Sequence, residues 1–144
     1  MTHEDAGHYG AKHPAGRKLN EKTVEALKQK AGNGKISCAA ASRIADRLQV
    51  SMEDVGATID LLEIHLDKCQ LGLFGYSPKK MIVEPAQAVS PPLEAAIRKA
   101  LVKGRLPCRA AWEIAGQTGM TRMDISAACE KLKIKIKPCQ LGAF

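Results

Sequence analysis

The sequence predicts a mainly α chain with small β-hairpins, an α+β fold built as two tandem units. Three observations predict it. The motif Cys-Gln-Leu-Gly occurs at 69–72 and again at 139–142, an offset of 70 residues. At that offset 34–74 aligns with 104–144 without a gap, and 15 of 41 positions are identical. The matched pairs include Cys38/Cys108, Ala41/Ala111, Ile44/Ile114, Ala45/Ala115, Asp54/Asp124 and Ile64/Ile134. Such density marks an internal repeat. Second, capped segments of helical apolar period recur in both copies. Third, the period falls to two after each third helix, which is the pattern of a half-buried strand.

Residues 1–18 are rich in Gly, His and Ala without a period and read as a disordered tail. His3, His8 and His13 within it suggest either a weak metal-binding tail or a plain polar one. The first repeat spans 19–84. Asn20 caps a helix over 21–31, with Val24, Leu27 and Ala31 on one face and Gly32-Asn33-Gly34 ending it. A short extended piece, 35–37, leads to a second helix over 38–48. A tight turn follows, and Ser51 with Asp54 opens a third helix in a capping-box arrangement. Glu63-Ile64-His65-Leu66-Asp67 then alternates, and 79–83 is expected to return as the second strand of a hairpin. Residues 85–89 are read as a linker.

The second repeat, 90–144, repeats the order. Ser90 caps and Pro91 takes the first helical position, where a missing N–H is harmless. Helices are expected over 108–118 and from Arg122, opened by Thr121 and Asp124. Lys133-Ile134-Lys135-Ile136-Lys137 is the alternating segment, with no returning strand encoded before 144. A repeat of this size is marginal alone, and aromatic residues make up only 3 % of the chain. Each core must therefore be built from Ala, Ile, Leu, Val and Met.

Certain residues point to a family. Ala115, Gly119 and Ile125 stand at the spacing of a small residue in one helix, a turn glycine and an inward residue of the next helix. Ala45 and Val55 match in the first repeat, with Gln49 in place of the glycine. On these residues and on the element order, both repeats resemble winged helix-turn-helix domains. The resemblance implies that the third helix enters a DNA major groove and that the hairpin touches the backbone. Cys-Gln-Leu-Gly is not part of the winged-helix pattern; it reads as a structural turn, with ligand binding as the other reading.

Net charge is +7, unevenly spread. Residues 19–84 carry nine Lys/Arg against nine Asp/Glu, and residues 85–144 carry ten against four. An anionic partner is drawn to the second repeat first. There Arg122 is expected to reach base edges, with Ser126 and Lys131 on its outward face and Lys133, Lys135 and Lys137 on one face of the strand. The matched positions of the first repeat include Glu63, His65 and Asp67, an acidic surface whose carboxylates repel phosphate. That reversal of sign also suggests docking of one face on the other, within a chain or between chains.

The function expected on these grounds is a small DNA-binding transcriptional regulator, with double-stranded DNA as partner, dimers or other homo-oligomers, and a cytoplasmic location. The alternatives are a protein–protein adaptor using degenerate winged helices, and RNA binding by tandem winged helices. An enzyme is not expected, since the chain has no phosphate loop and no nucleophile–base order. No stretch approaches the roughly 20 apolar residues of a membrane span. Five cysteines without a signal segment argue against a disulfide framework. Cys38, Cys69, Cys108 and Cys139 are candidate redox or metal thiols. Three readings stay open for them: buried small hydrophobes, a redox pair in each repeat, or a metal or iron–sulfur site. No cofactor is otherwise expected.

Overall fold

A computed structural model describes residues 20–144; the expected tail at 1–18, with its three histidines, lies outside the described residues. Among the described residues six helices and a small two-stranded sheet make the fold mainly helical. In order these are α1 (Glu21–Lys30), β1 (Lys35–Ser37), α2 (Cys38–Leu48), α3 (Met52–Leu61), β2 (His65–Asp67), α4 (Pro91–Lys99), α5 (Cys108–Thr118) and α6 (Arg122–Leu132). The bounds of α5 are those of α2 moved by 70 residues, and α6 opens 70 residues after α3.

Local capping explains the helix starts. The Asn20 side chain accepts from Lys22 N–H at 2.9 Å and Thr23 N–H at 3.2 Å. Ser37 accepts from Ala40 N–H at 3.1 Å, and Ser51 from Asp54 N–H at 3.0 Å. The Thr121/Asp124 capping box is complete, with both bonds at 3.0 Å. Each satisfies a backbone donor that the helix cannot. The turn after α5 needs a left-handed residue, and Gly119 supplies it at φ 72°. Gln49 takes the same conformation at φ 54° after α2, its side chain donating to Asp46 O at 2.7 Å.

The chain packs as two compact units, divided between Cys69 and Gln70. The first unit reaches Cys69 and takes in Leu141–Ala143; the second runs Gln70–Gln140 with Phe144. In the first, Leu27, Ile36, Ala41, Ile44, Val55, Ile59 and Leu141 are buried. Six consecutive residues of α3, Val55 to Asp60, are buried, so this helix is covered on more than one side. Gly56 shows how: a Cβ there would lie 2.6 Å from the Leu141 carbonyl carbon. In the second unit Leu93, Ile97, Leu106, Ile114, Ile125 and Leu71 form the core.

The hairpin expected in the first repeat, 63–67 with 79–83, is not formed. β1 and β2 pair in parallel, in the register Ile36 with Leu66. Leu106 and Ile136 make the corresponding parallel bridge in the second unit. Residues 79–83 are not a strand. The physical reason lies in where the hydrogen bonds go. Ile82 N–H and Val83 N–H both donate to Gly72 O, at 2.9 and 3.3 Å, which closes a loop. β2 instead takes its partner from the segment before α2.

Candidate nucleic-acid interface

The basic face of the second unit is built by one extended segment. Leu106 N–H donates to Lys135 O at 3.0 Å, and Lys137 N–H donates to Leu106 O at 2.8 Å. This pairing turns Ile134 and Ile136 inward, at 9 % and 8 % exposure. By alternation Lys133, Lys135 and Lys137 are exposed, and so is Lys131 in the last turn of α6. Lys133 caps α6 in a left-handed conformation, φ 58°. Two other cations of the unit are partnered on their own helices: Arg98 with Glu94 at 2.8 Å and Arg109 with Glu113 at 3.2 Å. Among the described residues, no carboxylate pairs with Lys131, Lys133, Lys135 or Lys137. In the first unit the matched positions Glu63 and His65 are exposed and Asp67 is half-buried.

Arg122, first residue of α6, is half-buried. Its guanidinium lies over the Trp112 ring, 3.6 Å from the ring centre. Its Nη1 donates to Gln70 Oε1 at 3.2 Å. Trp112 is on α5 and Gln70 belongs to the first Cys-Gln-Leu-Gly motif. Together with Met120, Thr121 and Met123 they line an open cleft of about 530 Å³. Sequence reasoning missed both partners of Arg122. Trp112 is the one tryptophan of the chain, and Gln70 is the polar member of a repeated motif; nothing in periodicity ties either to Arg122.

Ser126 is a correction. It was expected on the outward face of α6, yet it is 0 % exposed. The segment after Gln70 runs along that side of the helix. A Cβ at Gly72 would meet Met123 Sδ at 3.2 Å, and Ala86 N–H donates to Ala127 O at 3.0 Å. Ser126 therefore cannot touch a nucleic acid here. Its Oγ is buried without a hydrogen-bond partner among the described residues.

The thiols sit where the helices start. Cys38 and Cys108 open α2 and α5 and are buried, as is Cys69, while Cys139 is half-buried. Cys108 N–H donates to Pro138 O at 3.0 Å, and Gln140 Nε2 donates to Cys108 Sγ at 3.8 Å. Parallel pairing thus sets each helix start beside the segment that carries the motif cysteine. Among the described residues no three His, Cys, Asp or Glu side chains gather in a metal-holding group. No described helix is long and apolar enough to cross a membrane.

Compared with protein-family models, with characterised proteins and with solved structures, the chain matches none.

Proposed function

We propose that this chain is a DNA-binding regulator built from two helix-turn-helix repeats of winged-helix ancestry, with the second repeat as the contact surface. The observation that carries the reading is the lysine row. Lys131, Lys133, Lys135 and Lys137 are exposed and unpaired with carboxylates among the described residues, and Lys135 and Lys137 alternate with the buried Ile134 and Ile136. Four cations in such an array suit a line of phosphates, and each phosphate neutralised releases counterions. The α5–turn–α6 order, with Gly119 left-handed at the turn, supports the helix-turn-helix part. Among the described residues no hairpin follows the third helix of either repeat, so the lysine segment takes the backbone-contacting part.

The test is binding of the full chain to random duplex DNA at two salt concentrations. Binding at about 50 mM salt that weakens steeply with salt is expected. Lys135→Ala should weaken all duplexes alike and reduce the salt slope by about one unit. No binding at low salt overturns the reading. A protein–protein adaptor is the second reading, favoured by the exposed Glu63 and His65 at the matched positions of the first unit. It predicts a partner whose affinity falls on Glu63→Lys.

A further inference from the structure

Arg122 is not a loose surface cation. One face of its guanidinium is covered by Trp112 at 3.6 Å, and one of its N–H groups is fixed by Gln70 Oε1 at 3.2 Å. A planar guanidinium held on an aromatic face has lost most of the rotamer freedom that an arginine otherwise loses on binding. It also retains further N–H donors in a rigid fork, the arrangement that matches the O6 and N7 atoms of guanine. The fork stands at the first residue of α6, beside the open cleft edged by the exposed Met120 and Met123.

We propose that Trp112 and Gln70 are positioning residues that hold Arg122 ready to read a guanine edge in duplex DNA. They thereby give the first Cys-Gln-Leu-Gly motif a part in sequence preference. The proposal rests on the DNA reading above. It divides the surface into two functions: the lysine row fixes the protein on phosphates, and the Trp112–Arg122–Gln70 assembly discriminates bases. Trp112 and Gln70 need not touch the DNA, and the order of action is Gln70 and Trp112 on Arg122, then Arg122 on the base.

The experiment uses the full chain and a duplex that it selects from a random pool, with each guanine replaced by adenine in turn. For the wild type, one replacement should weaken binding at least about 5-fold, the low end for loss of a bidentate base contact. Gln70→Ala and Trp112→Leu should each abolish most of that discrimination while leaving the salt slope unchanged. Trp112→Phe, which keeps a ring beneath the guanidinium, should retain most of it. Should Trp112→Leu not fold, the half-buried Gln70 still carries the test. Because Trp112 is the one tryptophan, its emission reports the stack directly, and Arg122→Ala should shift it in the absence of DNA. Discrimination unchanged or strengthened in Gln70→Ala overturns the proposal while leaving the DNA reading intact. So does an emission spectrum indifferent to Arg122→Ala. A wild-type chain that binds no duplex at low salt overturns both.

Discussion

At the scale of the residue, Cys129 shows how position sets chemistry. It stands on α6 at 1 % exposure. Burial pushes its thiol up to about 11, with the neighbouring Glu130 adding to the rise, from an ordinary 9.0. A raised folded-state value means that the protein is stabilised below the unfolded value and loses that stability as pH rises through the folded one. The window is therefore about pH 9 to 11, and the loss amounts to roughly 2–3 kcal/mol. The comparison is between variants, so that every alkaline effect other than that of the thiol cancels. Chemical unfolding of the wild type and Cys129→Ala across this range should show the alkaline loss to be smaller in the variant. Equal losses would mean that the thiol does not titrate as its burial requires. The same burial predicts slow alkylation of Cys129 in the native state, because the thiolate is the nucleophile.

At the scale of the element, helices were legible and their partners were not. The bounds of α2 and α5 follow from local signals: apolar residues three and four apart along each helix, and Gly119 at the turn after α5. Those signals act locally, so they survive without knowledge of the fold. Alternation over 63–67 and 133–137 correctly told which side chains turn inward in the second unit, where Ile134 and Ile136 are buried. It did not tell which strand lies alongside, since a parallel and an antiparallel partner demand the same alternation. Ser126 failed for a related reason. Helical period places Ile125 and Cys129 on one inward stripe of α6, but the 72–86 segment covers a second flank.

Gly56 exposes the same double covering on α3. Alanine in a helix interior is ordinarily favoured over glycine by about 0.5–1 kcal/mol. Here its Cβ would lie 2.6 Å from the Leu141 carbonyl carbon and 2.8 Å from the Leu141 Cα. Backbone atoms cannot swing away as a side-chain tip can, and overpacking of this kind costs about 1–3 kcal/mol. Gly56→Ala should therefore destabilise by roughly 1–2 kcal/mol on balance, read as a lowered denaturant midpoint. By contrast a Cβ at Gly116 on α5 would meet nothing within 4 Å. Propensity acts alone there, and Gly116→Ala serves as the control that gains stability.

At the scale of the whole molecule, the repeated motif has different neighbours in its two copies. The copy at 69–72 begins the second unit at Gln70, where Gln70 holds Arg122. The copy at 139–142 gives Leu141, 2 % exposed, to the first unit, while Phe144 packs edge-on to Phe74 at 5.9 Å in the second. A repeat boundary drawn from sequence identity could not show this, because identity records descent and not contact. The consequence is a coupling that a single pair of substitutions can measure. Deleting 141–144 removes a buried leucine, and loss of such a side chain costs about 2–5 kcal/mol. It also removes the backbone that obstructs a Cβ at Gly56. In the shortened chain Gly56→Ala should thus cease to destabilise and should gain up to about 1 kcal/mol from helix propensity. The sign reversal is the coupling energy of a double-mutant cycle between residues 85 positions apart. Four denaturation curves decide it: if Gly56→Ala costs as much in the shortened chain as in the full one, Leu141 does not pack on α3, and the first unit is complete without it.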